Sequence, residues 1–390
     1  DHFPAICSTV HRVQLHYTLS RDAGDALVRH PLMDLLQAVD AHGSISAAAR
    51  ALGLSYRHVW GELKRWEDEL GNELIVWEKG QSARLSDFGA KLMWAERQAQ
   101  ARLSPQIEAL RADLERAFAV AFDPSAHVLT LYASHDDALP ALRAHAAAEH
   151  NLHLDIRFTG SVDAIRALNE GRCMMAGFHT LQTTRGKTLT ERTYKPLLQP
   201  GQHKIIGFAQ RTQGLMVARG NPLGLLSLHD LATRQARFAN RALGSGTRVV
   251  LDELLAEAGR SPGDIAGYEH TEPSHAAVAQ AVAAGQVDAG LGIAAAAQAA
   301  GLDFVPLADE RYHLVCLKSA LAQPGVLALL QRLQTPAWQA ELAAIPGYAA
   351  LRSGEVLSMR RVLPWWDYRR EKPHGIATTP RDVDALTAGR

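Results

Sequence analysis

The chain has 390 residues, more than one domain usually holds, so we expect two or three domains. Lysine plus arginine number 41, as do aspartate plus glutamate, and this balance excludes binding of nucleic acid through overall charge. The three isolated cysteines exclude a disulfide framework, and no apolar run approaches a membrane span. Without a recognisable secretion signal, a cytoplasmic location is expected.

The first predicted elements lie ahead of a more informative stretch. Residues 1–9 show no pattern, and alternating apolar residues over 10–20 predict one strand. Residues 29–42 are predicted to form the first helix. Its apolar face consists of Leu32, Leu35, Leu36 and Val39.

The stretch GSISAAARALGLSYRHVWGELKRW (43–66) predicts two short helices joined by a tight turn. Ser44 or Ser46 can cap the first helix, and Ser55 can cap the second, which runs towards Leu70. Gly53 stands where the turn needs a positive φ, which glycine adopts at little cost.

The second helix has two different faces. An apolar stripe at helical spacing predicts packing on a small domain, and it consists of Val59, Leu63, Trp66 and Leu70. Arg57, Gly61 and Lys64 fall on the opposite face, where basic side chains and a close backbone suit a DNA major groove. An ordinary amphipathic hairpin with a solvated basic face is the alternative, and Ala49, Gly53 and Val59 at tight-packing positions favour DNA binding.

The segment ELIVWEKGQSARL (73–85) alternates, turns at 79–82 and alternates again, which predicts a β-hairpin where a winged helix-turn-helix has its wing. The predicted DNA contacts come from the helix and this wing. They are Ser55, Tyr56, Arg57, His58, Gly61, Lys64, Lys79 and Arg84.

These residues carry a family resemblance. The stretch 30–89 resembles the N-terminal domain of ModE-type regulators, a branch close to LysR-type regulators. Ser55-Tyr56-Arg57 and Trp60 resemble the ModE-type form, and ARLSDFG (83–89) resembles the end of the wing in both groups. The resemblance covers about sixty residues and implies a DNA-binding regulator.

A long helix is predicted over 87–122, with Pro105 as an interruption that kinks or splits it. Its apolar residues repeat at spacings of three and four, close to a heptad seam. They are Leu103, Ile107, Leu110, Leu114 and Phe118. We favour a dimerisation helix over packing within one monomer, because its place after the wing matches the linker helix of LysR-type proteins. Residues 123–125 are predicted to end this part of the chain.

From residue 127 the pattern alternates strand, loop and helix, which predicts parallel α/β layers. Strands are predicted at 128–133, 152–158, 173–178, 204–219, 236–240 and 287–293, with two more within 302–318 and helices to about 350. The segments 160–177 and 274–290 share one layout, a polar cap, a helix, a glycine and a small-residue strand.

This region resembles the periplasmic-binding-protein fold, and in detail the PBP-like domains found beside molybdenum-related regulators and molybdopterin-biosynthesis enzymes. NRALGSGTR (240–248) and AVAAGQVDAGLGI (281–293) carry the resemblance. The predicted fold is α+β multidomain. It comprises a winged helix-turn-helix (10–88), a linker helix (89–122), a two-lobed α/β domain (127–370) and a tail (371–390). Lobe one takes 127–205 and 318–370, and lobe two takes 206–317.

Four loops of the α/β domain place Ser, Thr or Gly just before a helix, where free N–H groups and the helix dipole attract anions. All four follow strands, so we expect them in the cleft between the lobes. Plain helix capping is the alternative for any one loop. The predicted ligand-binding residues are Ser134, His135, Asp136, Thr159, Gly160, Ser161, Ser245, Gly246, Thr247, Arg248, Ser274 and His275.

The leading hypothesis is a cytoplasmic, dimeric transcription factor that binds a double-stranded DNA operator and senses a small anionic effector. Candidate effectors are molybdate, tungstate or the molybdenum cofactor, and Asp136 is an awkward neighbour for a bare dianion but could accept from a pterin. A homodimer is expected, with a tetramer as the larger alternative, and no membrane partner.

Two other functions stay open. One is a LysR-like sensor of a small organic acid. The other is a transport protein or a non-regulatory protein of molybdenum-cofactor synthesis. No nucleophile–base pair, metal set or phosphate loop is recognised, so we expect no enzyme, no catalytic cofactor and no bound metal.

Overall fold

The computed structural model describes residues 30–77, 83–122, 126–150, 152–181, 188–363 and 365–366. The predicted strand at 10–20, the unpatterned residues 1–9, the boundary at 123–125 and the tail at 371–390 lie outside these ranges. Among the described residues, no helix combines the length and the apolar character needed to cross a membrane.

The N-terminal part is a helix-turn-helix followed by a short hairpin and a long helix. Its elements are α1 (Pro31–His42), α2 (Ile45–Ala51), α3 (Tyr56–Leu70), β1 (Ile75–Val76), β2 (Arg84–Leu85) and α4 (Asp87–Phe122). Ser44 caps α2 by accepting from the Ala47 N–H at 3.1 Å, and Ser55 caps α3 by accepting from the His58 N–H at 3.1 Å. The turn glycine, Gly53, has a φ of 68°, as predicted.

The apolar stripe of α3 forms the centre of this small domain. Val59 and Leu63 are fully buried, and they belong to one core with Leu36, Ala48 and Leu74 from the surrounding elements. β1 and β2 pair antiparallel, with Ile75 opposite Leu85, as predicted for the hairpin of a wing. The residues between them, 78–82, lie outside the described part.

The junction between the wing and α4 depends on Ser86 and Gly89. The Ser86 hydroxyl donates to the Glu73 carbonyl at 2.5 Å and accepts from the Gly89 N–H at 2.9 Å. A Cβ built on Gly89 would collide with the carbonyl oxygen of Leu74. Glycine therefore lets the first turn of α4 lie directly against the wing backbone.

The linker helix is one continuous α-helix of 36 residues with Pro105 inside it, so Pro105 does not split the helix, and the alternative of a kink stays a prediction. The predicted seam is open to solvent at Leu103, Leu110 and Phe118, which are 46%, 58% and 38% exposed.

The C-terminal part contains the remaining helices and strands. The helices are α5 (Ala138–His150), α6 (Ser161–Asn169), α7 (Leu189–Tyr194), α8 (Leu228–Thr233), α9 (Gly246–Glu257), α10 (His275–Ala283), α11 (Ala294–Ala299), α12 (Pro324–Leu333), α13 (Pro336–Ala344) and α14 (Met359–Val362). The strands are β3 (His127–Ala133), β4 (Leu152–Phe158), β5 (Met175–Leu181), β6 (His203–Val217), β7 (Phe238–Arg241), β8 (Thr271–Glu272), β9 (Ala289–Ile293), β10 (Asp303–Leu317), β11 (Tyr348–Ala350) and β12 (Val356–Leu357).

Two long antiparallel strands, β6 and β10, join two α/β lobes. The strand order is β4-β3-β5-β10-β6-β9-β7-β8, with β11 and β12 also on β6. β3 pairs parallel with β4 and β5 in lobe one, and β7 pairs parallel with β8 and β9 in lobe two. The prediction of parallel layers is therefore right within each lobe, and the pairs that involve β6 or β10 are antiparallel.

Two expectations need correction here. The stretch 302–318 forms the single strand β10 instead of two, and 348–350 is strand β11 instead of helix. The predicted lobe boundaries at 205/206 and 317/318 stay predictions; they fall near ends of β6 and β10. Along β6, residues 209–211 pair with β11 and residues 213–217 pair with β9.

We predict that Gly89→Ala lowers the free energy of unfolding by about 1–3 kcal/mol, because the added methyl group forces the wing and α4 apart. Chemical denaturation of the two purified proteins measures this difference. Gly61→Ala is the matched control, because Gly61 lies in a helix with nothing within 4 Å of a built Cβ. It should raise stability by about 0.5–1 kcal/mol. Equal stabilities of Gly89→Ala and the wild type would refute the close-approach role.

Candidate functional site

The first candidate site is the outer face of α3. Tyr56, Arg57, His58 and Gly61 are all exposed, while Val59 beside them is fully buried. Ser55 is exposed, but its hydroxyl is engaged as the helix cap. The start of α3 therefore presents a polar and basic surface, while the opposite side of the helix packs in the core of the domain.

Lys64 does not extend freely from this face. Its ammonium lies 2.5 Å from a Glu67 carboxylate oxygen and 5.0 Å above the Trp60 ring. Glu67 is buried and accepts from the backbone N–H groups of Leu74 and Ile75 at 2.8 and 3.2 Å. Burial alone would raise the pKa of Glu67, but the bonds from Lys64 and these N–H groups bring it below its ordinary value. Lys64 thus belongs to the connection between α3 and the wing.

The wing contributes one described residue to this site. Arg84 is exposed on β2, whereas Lys79 lies outside the described residues. The arrangement matches a helix that enters a groove with a hairpin beside it, which is how winged helix-turn-helix domains meet DNA.

The second candidate site lies between the two lobes. The Ser134 and Ser161 hydroxyls, which follow β3 and β4, are 3.1 Å apart in lobe one. In lobe two the Thr247 hydroxyl lies 3.4 Å from Nε2 of His275. The structure therefore brings together residues from each of the four predicted loops or the first turns that follow them.

The lobes touch one another across this site. A Cβ on Gly160 of lobe one would lie 2.7 Å from the Gly244 carbonyl oxygen of lobe two. A Cβ on Gly246 would lie 2.8 Å from Nδ1 of His179. Glycines at both positions let the lobe-two loop approach lobe one closely, so the cleft is closed.

A buried arginine that the sequence analysis missed stands at the centre of this region. Arg211, on β6, forms ion pairs with Asp136 and Glu310. Tyr348 donates to Asp136 at 2.7 Å, and Arg211 donates to the Tyr348 oxygen at 3.2 Å. Although burial disfavours its charge, the pKa of Arg211 is raised well above its ordinary value by these acidic and phenolic neighbours. The signal was the polar run 210–213, which contains Arg211 and lies between two apolar runs of the same strand.

Gln213, two residues further along β6, extends this network into lobe two. Its amide nitrogen donates to Glu310 at 2.9 Å and to the Thr247 hydroxyl at 3.2 Å. Burial raises the pKa of Glu310. Asp136 is thus fully engaged with Arg211 and Tyr348 and with the Ala138 N–H, which removes it as a free acceptor for a ligand.

Arg241, at the end of β7, is the second arginine that the sequence analysis missed. It is buried, and among the described residues its guanidinium makes one hydrogen bond, from Nη2 to the Pro273 carbonyl at 3.1 Å. Nε and Nη1 find no partner in this part of the chain. Burial and the nearby Arg211 lower the pKa of Arg241 to about 10, so it stays cationic at neutral pH. A buried cation with two unused donors is a candidate anion-binding group.

Three buried histidines lie within the electrostatic influence of this arginine. Burial and the charge of Arg241 lower the pKa of His135 to about 4. Burial, together with the charges of Arg211 and Arg241, lowers the pKa values of His179 and His275 well below the ordinary value. Among the described residues neither ring nitrogen of His179 has a partner. At neutral pH all three rings are neutral, and each can donate one hydrogen bond and accept another.

Half-buried Asp137 is the remaining ionisable group of the 134–137 loop. Burial and the Asp136 charge raise its pKa to about 6.

Other predicted ligand residues lie elsewhere. Ser274 donates to the Ala101 carbonyl of α4 at 3.0 Å and caps α10, so its hydroxyl serves the linker helix. Arg248 stacks on Tyr268 at 4.3 Å, lies 3.7 Å from Glu269 and donates to the Arg241 backbone carbonyl at 3.5 Å. Ser245 is used as the cap of α9, and the half-buried Thr159 donates its N–H to Ala133. Capping therefore accounts for two of these predictions, Ser245 and Ser274.

Among the described residues, no group of three or more His, Cys, Asp or Glu side chains is placed to hold a metal ion. Cys173 and Cys316 are buried free thiols.

Comparison with known families matches both parts of the chain. Residues 31–90 match "Bacterial regulatory helix-turn-helix protein, lysR family", and residues 142–334 match "PBP superfamily domain".

Two curated relatives are similar to parts of the chain. "Uncharacterized protein YvgK" of Bacillus subtilis (strain 168) is 32% identical over 201 residues, 52% of this chain and 64% of that protein. The chain thus spans slightly less than two thirds of the length of this relative. A protein "in ferredoxin 2Fe-2S gene 5'region" of Clostridium pasteurianum is 32% identical over 111 residues, 28% of this chain and 98% of that protein.

Among solved structures, ArgP from Mycobacterium tuberculosis is 19% identical to this chain. The alignment covers 78% of this chain and 96% of ArgP, with a TM-score of 0.37.

We predict that acidification from pH 6.5 towards 4 destabilises the protein through His135. A depressed histidine pKa means that the unfolded state binds the proton first, so the stability is present above pH 6.5 and is lost as the pH falls towards 4. The loss attributable to His135 is about 3 kcal/mol at most. Thermal unfolding of wild type and His135→Gln at pH 7.5 and 5.0 measures it, and the variant should lose less stability on acidification. The exposed His127→Gln is the control, and equal losses in all three proteins would contradict the assignment.

Proposed function

With a LysR-family helix-turn-helix domain joined to a PBP-superfamily domain, the chain has the architecture of a LysR-like DNA-binding transcriptional regulator, and we propose that it is one that responds to an anionic ligand. The N-terminal domain binds operator DNA, and the cleft between the lobes binds the effector. The observation that carries the proposal is the exposed face of α3 joined in one chain to a closed, cation-containing cleft.

The DNA-binding step uses the start of α3. Arg57 can bond to phosphate or guanine, Tyr56 and His58 can contact the groove wall, and the absence of a side chain at Gly61 lets the helix approach closely. Lys64, held by Glu67, would support the wing instead of reading bases.

We propose that the exposed seam of α4 pairs with the same seam of a second copy. Two helix-turn-helix units then face two half-sites of an operator. The large apolar side chains exposed on one side of α4 support this pairing, since leaving them in water is unfavourable. A tetramer remains the larger alternative.

The effector site is centred on Arg241. Its unused Nε and Nη1 donors would hold an anionic group, and the Ser134, Ser161 and Thr247 hydroxyls lie in the same closed region. A guanidinium suits phosphate or carboxylate because it is always charged and carries several N–H donors. Nε and Nη1 point in different directions, so they would donate to different oxygens of the ligand.

The cluster also contains unused acceptors. Among the described residues, one oxygen of Gln213 and one of Glu310 lack a partner. Molybdate and tungstate offer only acceptor oxygens, whereas a pterin-containing molybdenum cofactor combines anionic groups with N–H donors. We therefore propose a molybdenum-cofactor-related ligand ahead of the bare oxyanions. The small organic acid stays as the second candidate, since a carboxylate would also pair with Arg241.

Ligand binding can regulate DNA binding only if the ligand has different affinities for two states. We propose that the closed cleft is the ligand-bound state, because the ligand would complete the donors and acceptors that closure leaves buried. Without the ligand these groups would regain water when the lobes part.

We predict that Arg57→Ala weakens binding to DNA from the protein's own promoter region by about 1–3 kcal/mol per subunit contact, because a charged groove contact is lost. Fluorescence anisotropy at fixed salt measures the dissociation constant. Arg65→Ala is the matched control, because that guanidinium on the same helix is paired with Glu62 over Trp66. Unchanged affinity of Arg57→Ala would refute the assigned face, and no binding by the wild type would refute the regulator.

We predict that Arg241→Gln stabilises the ligand-free protein but removes the stabilisation that a ligand gives. Removing a buried charge with unused donors should raise the melting temperature without ligand. It should also abolish any rise that wild type shows with molybdate, tungstate or organic acids in a thermal-shift assay. Arg237→Gln is the control, because Arg237 is exposed and paired with Asp288. An undiminished ligand-induced rise in Arg241→Gln would place the anion elsewhere.

A further inference from the structure

The linker helix α4 contacts lobe two through three polar contacts. Arg102 forms a two-pronged ion pair with Glu272, at 2.7 and 3.0 Å. The Ser274 hydroxyl donates to the Ala101 carbonyl at 3.0 Å, and Gln286 donates to Gln98 at 3.0 Å. Glu272 is buried, and its carboxylate is compensated chiefly by Arg102, with Nε2 of His270 3.4 Å away.

Further along, the same helix contacts lobe one. Arg143 of α5 forms an ion pair with Glu108 of α4, and both side chains are largely buried. Arg157 of β4 donates to Asp113 at 2.7 Å. Arg116 of α4 lies 3.4 Å from Asp155 of the same strand. Residues 98–102 of α4 therefore hold lobe two, and residues 108–116 hold lobe one.

The lobe contacts and the apolar seam lie on different sides of α4. At about 100° per residue, Gln98, Arg102 and Asp113 fall on one side, and Leu103, Leu110 and Leu114 fall roughly on the other. One side of the helix is thus bound to both lobes of its own chain, while the seam remains available to a second copy.

We propose that α4 is a strap that holds the two lobes in the closed arrangement and carries the state of the cleft to the seam. The lobes are connected by β6 and β10, so cleft opening changes their relative position. A continuous helix cannot lengthen to follow both lobes, so opening must break one set of α4 contacts or move the helix. The regulatory part of this inference rests on the proposed function.

The link from ligand to strap is short. Ser274 bonds to α4, and the next residue, His275, lies beside Thr247 at the cleft. A ligand that holds His275 and Thr247 in lobe two would therefore stabilise the segment that receives α4. Closure of the cleft then favours one position of α4, and therefore one position of its apolar seam.

The test substitutes residues at the contacts of α4 and measures the distance between the two lobes. Spin labels are attached to cysteines introduced at Arg166 in lobe one and Glu257 in lobe two, both exposed. Cys7 is replaced by Ser, while Cys173 and Cys316 are retained because burial protects them and raises the pKa of each thiol to about 11. Double electron–electron resonance then gives the distance distribution between the lobes in the full chain as purified from its own cells, without DNA.

We predict that Arg102→Gln together with Glu108→Gln lengthens or broadens this distribution, because each lobe loses its largest ionic contact with α4. Lys91→Gln is the matched control, because Lys91 is exposed near the start of the same helix. The charge exchange Arg102→Glu with Glu272→Arg should restore a distribution close to wild type, whereas Arg102→Glu alone should not. Circular dichroism verifies that each variant is folded.

A distribution unchanged by the α4 substitutions in folded variants would overturn the strap. So would a charge exchange that perturbs the lobes as much as Arg102→Glu alone. Either failure differs from failure of the proposed function, which would appear as absence of operator binding by the wild type. Intact operator binding with an unchanged lobe distance would remove the strap and leave the regulator in place.

Discussion

The arrangement of the C-terminal domain depends on the buried ionic network around Arg211. This one side chain stands on β6, where the chain passes between the lobes, and reaches Asp136 of lobe one and Glu310 of β10. Gln213 continues the network to Thr247 of lobe two. Breaking a buried ion pair leaves an uncompensated charge and costs about 3–5 kcal/mol, so the two carboxylates and the arginine constrain each other's positions. The groups that face a ligand are built around this fixed centre.

The network also explains why the cleft contains one cation with unused donors beside groups that are neutral or neutralised. Arg211 is neutralised by two carboxylates, whereas Arg241 keeps unused donors among the described residues, and the nearby histidines are neutral. The site is therefore less cationic than a set of helix N-termini alone would be. Such a balance suits a ligand with one anionic end and hydrogen-bonding groups beside it better than a bare dianion.

Much of the fold could be predicted from local pattern. The caps at Ser44 and Ser55, the positive φ at Gly53 and the buried stripe at Val59 and Leu63 all follow from local sequence. Strand β4 has the predicted bounds, Leu152–Phe158. A split of α4 at Pro105 and two strands within 302–318 were predicted wrongly, because tertiary packing overrides a helix breaker and a strand of mixed polarity.

The candidate cleft was predictable only as a set of loops. Helix-capping residues marked the right ends of the strands, but the sequence did not distinguish a hydroxyl that faces the cleft from one that serves a cap or α4, as Ser245 and Ser274 do. Arg211, Gln213, Arg241 and Glu310 were missed because they meet only when distant strands pair. The exposed start of α3 was easier, since sequence spacing alone defines both faces of a helix.

The central claim is that the closed cleft holds an anionic ligand with hydrogen-bond donors. Native mass spectrometry and elemental analysis of the protein purified from its own cells test it most directly. We expect a non-covalent organic mass in each chain, accompanied by molybdenum or tungsten if the ligand is the metal-bound cofactor. A folded protein whose only mass is that of the chain, or of the chain with a bare molybdate or tungstate ion, would contradict this account of the cleft.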